Sequence, residues 1–116
     1  MAVTRIYFML MAQDMHRAVA FYEGVFGLTC QFSTPFWSEL GHGGAIVALH
    51  GGGNGARQET GLGLNVDDLD ATCAAVTAAG GVVERGPERR PQERIRIATV
   101  RDPEGNTLSV AETIQD

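Results

Sequence analysis

The chain repeats itself. At an offset of 54 residues, Phe8 matches Leu62, Leu10 matches Leu64, Asp14 matches Asp68, Met15 matches Leu69, Val19 matches Cys73 and Gly27 matches Gly81. An internal repeat is a primary fold clue. In the first copy, Arg5 to Met11 reads as a strand with both faces apolar, so both faces are covered. Asp14 is placed as an N-cap. Met15, Ala18, Val19, Tyr22 and Phe26 then recur at helical spacing up to Gly27, which ends the helix. Three short strands follow, over Leu28 to Ser33, Phe36 to Leu40 and Ala45 to His50, with a Gly41-His42-Gly43-Gly44 turn before the last. The second copy has a strand over Gly61 to Val66 and a helix capped by Asp67 or Asp68. Leu69, Cys73 and Val76 form that helix's stripe, and Gly80 or Gly81 ends it. Strands follow over Val82 to Arg85, Ile95 to Arg101 and Thr107 to Glu112, with a polar loop over Pro87 to Gln92. The spacing therefore predicts one domain of two βαβββ modules, at about 1–53 and 60–116, joined by a glycine-rich linker over 51–59.

Between the last two strands lies Asp102-Pro103-Glu104-Gly105-Asn106. Asp and Pro start a tight turn, and Gly and Asn supply positive-φ positions. The net charge of −5 argues against a nucleic-acid groove. Arg89, Arg90, Arg94, Arg96 and Arg101 cluster, but Glu84, Glu88 and Glu93 interleave with them, which fits a solvated region better than an anion site. No apolar run reaches the ~20 residues of a bilayer span. Cys30 and Cys73 lack metal or redox spacing and read as reduced thiols of a cytoplasmic protein. The Gly51-Gly52-Gly53-Asn54-Gly55 run fits neither a P-loop nor a dinucleotide fingerprint.

Three marks in this order carry a resemblance. They are Phe21-Tyr22 with Phe26-Gly27-Leu28, the helix entry Val66-Asp67-Asp68-Leu69-Asp70, and Asp102-Pro103-Glu104-Gly105-Asn106. Together they resemble the vicinal oxygen chelate superfamily, also called the glyoxalase/bleomycin resistance/dioxygenase group, over essentially the whole chain. The resemblance implies an α+β fold in which the two modules form a cupped, eight-stranded mixed sheet with helices outside. It also implies a small organic ligand inside the cup and a homodimer. By alternation, Ile6, Phe8 and Leu10 would face the helices. Tyr7, Met9 and Met11 would face the cup, with Ile46, Ala48 and His50, then Gly61, Gly63 and Asn65, and finally Thr107, Ser109 and Ala111.

Enzymes of this superfamily usually hold a divalent metal through His, Glu or Gln on the first, fourth, fifth and eighth strands. Counting from the shared marks, those positions fall on Tyr7, Ala48, Gly61 and Ser109. Neutral Tyr and Ser are poor ligands, and Ala and Gly have no ligating side chain. The expectation is therefore no metal and no other cofactor. Among the histidines, His16 and His42 read as surface residues. His50 either overlooks the cup's rim or caps a strand in solvent. Glu39 shares a face with Trp37. Inside an apolar cup its pKa would rise by desolvation and it could act as a general base; the alternative is a cross-strand charge pair.

The leading expectation is a metal-free binder, of the bleomycin-resistance type, that sequesters an aromatic or drug-like ligand, as in antibiotic resistance. Tyr7, Met9, Met11, Trp37, Glu39, His50 and Ser109 would line the site. The alternative is a metal-free isomerase, cyclase or lyase using Glu39, His50 or Tyr7. A metal-dependent lyase or dioxygenase with a shifted ligand set, such as Glu39 and His50, fits the alignment least.

Overall fold

The computed structural model describes residues 1–115; the last residue of the second module, 116, lies outside them. The element order is β1 (Phe8–Ala12), α1 (Met15–Phe26), β2 (Thr29–Ser33), β3 (Trp37–His42), β4 (Ala45–Gly51), β5 (Gln58–Asn65), α2 (Leu69–Ala78), β6 (Val82–Arg90), β7 (Ile95–Arg101) and β8 (Asn106–Thr113). The two βαβββ modules are present, as the α+β reading required. Their strands are hydrogen-bonded as two four-stranded mixed sheets, β1-β4-β3-β2 and β5-β8-β7-β6. In each, the strand before the helix pairs in parallel with the module's last strand, and the remaining pairs are antiparallel.

Local chemistry sets the helix ends. The Asp14 carboxylate accepts from the Arg17 amide at 3.1 Å and Asp68 from the Ala71 amide at 3.0 Å, so of the two expected caps of α2 the chain uses Asp68. Gly27 is left-handed, with φ 68°, and its amide reaches back to the Glu23 carbonyl at 3.0 Å, closing α1 with a left-handed glycine cap. Ala18, Phe21 and Tyr22 of α1 and Leu69, Cys73 and Val76 of α2 are buried. They join Leu10, Leu40, Val47 and Leu49 from the first sheet and Leu62, Val100, Leu108 and Val110 from the second in one core. The two modules therefore share their apolar interior.

The structure changes some expected boundaries. β1 starts at Phe8, where its ladder with β4 begins. Ile6 lies ahead of that ladder and is 79% exposed, so it does not face the helices as the alternation predicted. The expected polar loop at 87–92 is instead mostly strand. β6 runs to Arg90, and irregularities between Val83 and Arg85 and between Arg85 and Glu88 carry the chain past Pro87. A proline is tolerated in a strand where the ladder is already interrupted. In the 102–106 turn only Gly105 has positive φ, at 98°. Asn106 is the first residue of β8.

That turn is also the joint between the modules. The Asn106 side chain meets the backbone of Met11 on both sides, accepting from its amide at 3.2 Å and donating to its carbonyl at 2.7 Å. The Glu104 carboxylate accepts from the Gln13 amide at 2.9 Å, the Asp14 amide at 2.7 Å and Arg17 Nε at 2.6 Å. Asp102 accepts from Tyr22 Oη at 2.6 Å, from Asn106 Nδ2, and from the Glu104 and Asn106 amides, the last three at 2.9 Å. All three side chains are almost fully buried. Burial raises the Asp102 pKa while its four donors pull the other way, and burial with the adjacent Asp102 carboxylate pushes the Tyr22 phenol well up.

Candidate functional site

Two rows of side chains cross the open face of the first sheet, the face turned away from the core. One row is Glu39 on β3, Ala48 on β4 and Met9 on β1; the next is Trp37, His50 and Met11. Pleating puts both rows on one side because strand side chains alternate and these positions share parity. Leu10, Ala12, Leu40, Val47 and Leu49 point the other way into the core.

Aromatic contacts hold the rows together. Tyr7 meets Trp37 edge-to-face with ring centroids 5.6 Å apart, and Trp37 meets His50 likewise at 6.0 Å. Trp37 Nε1 donates to Glu39 Oε2 at 2.8 Å. Arg5 donates to both carboxylate oxygens, Nη1 to Oε1 at 2.6 Å and Nη2 to Oε2 at 3.0 Å. Its guanidinium also lies 5.2 Å from the centre of the Tyr7 ring. Phe32 on β2 is paired with Glu39 and is 54% exposed. Tyr7 and Met9 are 46% and 48% exposed, so this apolar face is uncovered on a single chain.

The structure thus brings Tyr7, Trp37, Glu39 and His50 into contact and sets Met9 and Met11 beside them. Ser109 is exposed on β8, opposite Gly63 and Thr99 in the other sheet's ladder. Of the two roles open to Glu39, the charge pair is what forms, and its partner is Arg5. Hydrogen bonds from Arg5 and then Trp37 hold the Glu39 carboxyl below its ordinary pKa. The expectation of a pKa raised by desolvation is therefore overturned, because a guanidinium fork outweighs burial here. Arg5 is the site residue the sequence reading missed. Its signal was parity, since Arg5, Tyr7, Met9 and Met11 alternate along one face.

Charged residues of the second sheet pair with one another, with Arg57 just ahead of β5 and with Asp70 on α2. Arg57 holds Glu84 through Nε at 3.0 Å and Nη2 at 2.9 Å, and Arg101 lies 3.5 Å from the same carboxylate. Arg96 grips Asp70 through two contacts of 3.0 Å. Cys30 and Cys73 are free. An apolar cavity of about 360 Å³ opens between the modules, lined by Phe26, Leu28, Leu40, Val47, Leu64 and Val66 among others.

A sequence model of the Glyoxalase/Bleomycin resistance protein/Dioxygenase superfamily matches residues 5–110, and the chain belongs to that superfamily. Among curated relatives, it is 30% identical over 125 aligned residues to a protein of Vibrio cholerae serotype O1 named probable lactoylglutathione lyase, covering 92% of this chain and 88% of the relative. Among solved structures, it matches the fosfomycin resistance protein FosX of Listeria monocytogenes, complexed with Mn(II) and sulfate, with a TM-score of 0.79 at 15% identity, covering 97% of this chain and 92% of the other. It matches TioX of Micromonospora sp. ML1 with a TM-score of 0.71 at 24% identity, covering 97% and 100% of the two chains. These structural likenesses establish the fold.

The Mn(II) of the FosX complex finds no matching donor set at the corresponding positions here. Tyr7 lies one pleat before the Met9–Ala48 pair, and Ala48 is a fully buried methyl. Gly61 falls in the irregular stretch between the Glu59 and Gly63 pairs, and Ser109 offers a neutral hydroxyl. Among the described residues no group of three His, Cys, Asp or Glu side chains is placed to hold a metal ion. Phenol, methyl, hydrogen and hydroxyl do not fit a divalent transition metal. Among the described residues, no helix is long and apolar enough to cross a membrane.

Proposed function

We propose that the protein binds a small, flat organic molecule on the open face of its first sheet, without a divalent metal. The observation that carries this reading is the replacement of the whole ligand set by Tyr7, Ala48, Gly61 and Ser109. In place of donors, the face offers the rings of Tyr7, Trp37 and His50 and the thioethers of Met9 and Met11 around one carboxylate, Glu39. Such a lining gives stacking area with a single polar anchor. Ser109 adds a hydroxyl from the second sheet. The exposure of Tyr7 and Met9 supports a homodimer in which a second copy covers the face and completes the enclosure. The two free thiols support a reducing cytoplasm. Sequestration, as in drug resistance, is favoured over turnover because Glu39 is already engaged by Arg5 and Trp37 and so is a weak base.

A second reading, a metal-free isomerase, cyclase or lyase using Glu39, His50 or Tyr7, is supported by the 30% identity with the probable lactoylglutathione lyase. Elemental analysis of protein purified without chelator tests the metal-free part: far less than one transition metal per chain is expected, and one per chain overturns it. A thermal-shift screen over flat aromatic compounds tests binding. A ligand present at about 100 times its Kd stabilises the native state by about 2.7 kcal/mol, so a bound compound raises the melting temperature by roughly 11 °C. No shift with any member of a broad panel overturns the binding reading. Turnover abolished by Glu39→Gln and His50→Ala would favour the second reading over the first.

A further inference from the structure

The Arg5 guanidinium sits in a complete cation receptor built by other residues. Glu39 presents both oxygens to the two Nη atoms at 2.6 and 3.0 Å. Trp37 Nε1 fixes the carboxylate from the side at 2.8 Å. The Tyr7 ring lies 5.2 Å from the guanidinium carbon, and Trp37 braces that ring edge-on. The Glu39 side chain is 15% exposed and the Arg5 side chain 45%, so the carboxylate is recessed while Arg5 and the Tyr7 ring are half-exposed. Tyr7, Trp37 and Glu39 stand on or beside paired strands. Arg5 belongs to the segment ahead of β1, where Val3 and Ile6 are 78% and 79% exposed. Arg5 thus reaches the β3 carboxylate from the segment ahead of β1, two residues before the ring it lies against.

We propose that Arg5 is a tethered stand-in for the cationic head of the ligand. The site then takes a planar guanidinium or amidinium group carried on a flat apolar body, and Arg5 swings out to admit it. The fork geometry selects this class, since two parallel N–H donors match the two carboxylate oxygens and a flat cation lies against an aromatic face. The apolar body extends along the Trp37–His50–Met11 row. This inference rests on the reading of the open face as a ligand site and specifies what that site recognises.

The test uses benzamidine, a flat aryl amidinium, and benzyl alcohol as its neutral counterpart. Trp37 is the chain's only tryptophan, so intrinsic fluorescence reports on the site directly. Wild type, Arg5→Gln and Glu39→Gln are titrated, with melting temperatures recorded to confirm that each variant is folded. Losing a tethered competitor held at roughly millimolar effective concentration makes Arg5→Gln bind benzamidine on the order of tenfold more tightly than wild type. Glu39→Gln loses the benzamidine response, and benzyl alcohol binds wild type and Arg5→Gln alike. A folded Arg5→Gln that binds benzamidine no better than wild type overturns the proposal. If neutral aromatics still bind in that case, the face remains a ligand site and only the cation assignment fails. If no aromatic of either kind changes the fluorescence or the melting temperature, both readings fail together.

Discussion

Truncating Glu104 to alanine tests the claim that the 102–106 turn joins the modules. The side chain is 0% exposed, and its carboxylate serves the Gln13 and Asp14 amides and Arg17 Nε. Glu104→Ala removes the acceptor from all three. A hydrogen bond to a charged group contributes about 1.5–3 kcal/mol. The Arg17 side chain is 45% exposed and regains water, so its share is small. The two amides, taken at the lower end of that range, give a loss of about 3 kcal/mol. A domain of this kind has about 5–15 kcal/mol in total, so the loss is a large fraction of it. With an unfolding entropy of about 2.1 cal/mol/K per residue over the chain's 116 residues, the melting temperature falls by roughly 12 °C. Urea and thermal unfolding followed by far-ultraviolet circular dichroism measure it, and Arg17→Met serves as the comparator, at about 1 kcal/mol. A Glu104→Ala loss below about 1 kcal/mol, or one no larger than that of Arg17→Met, would mean that the Glu104 carboxylate does not hold the modules together.

Two further outcomes are expected. Gly105→Ala must adopt φ 98° and drive its Cβ into the Ala56 carbonyl oxygen, so it destabilises by about 2–4 kcal/mol in the same unfolding assay; a neutral result would mean the turn can relax. For pH, Glu39, Glu84 and Asp70 all have depressed pKa values, each chiefly through an arginine hydrogen bond. Their stabilisation is present above the unfolded-state pKa and is lost as pH falls through the folded one, while Asp102, with its raised pKa, works in the opposite sense. The melting temperature should hold from neutrality to about pH 5 and drop below about pH 4, with a smaller drop in Arg5→Gln. A decline already complete by pH 5 contradicts this.

What could be read from the sequence was what is local. Asp14, Asp68 and Gly27 act within a turn of their own positions, so the caps and the repeat that they punctuate were legible. Strand parity was legible too, and placed Tyr7, Met9, Met11, Trp37, Glu39 and His50 on one face. The partners were not. Arg5 lies 34 residues from Glu39, and Glu104 lies 91 and 90 residues from the two amides it accepts from. Turn propensity explains Asp102, Pro103 and Gly105 without invoking any contact, which left nothing in the local pattern to show where two buried carboxylates would be used. The extent of β6 was hidden for a related reason, since Pro87 reads as a breaker until the bulges beside it are seen.

The two halves of the repeat differ in one respect that sets how they can meet. The turn between β7 and β8 carries the buried acids and Asn106, whereas its counterpart between β3 and β4 is the bare pair Gly43 and Gly44. The turn of the second module is the key, and residues 11–17 of the first are the keyhole. A pair of first halves would have two keyholes and no key, and a pair of second halves the reverse. The contact is therefore one-way: it joins two unlike modules, and two copies of the first module could not form it.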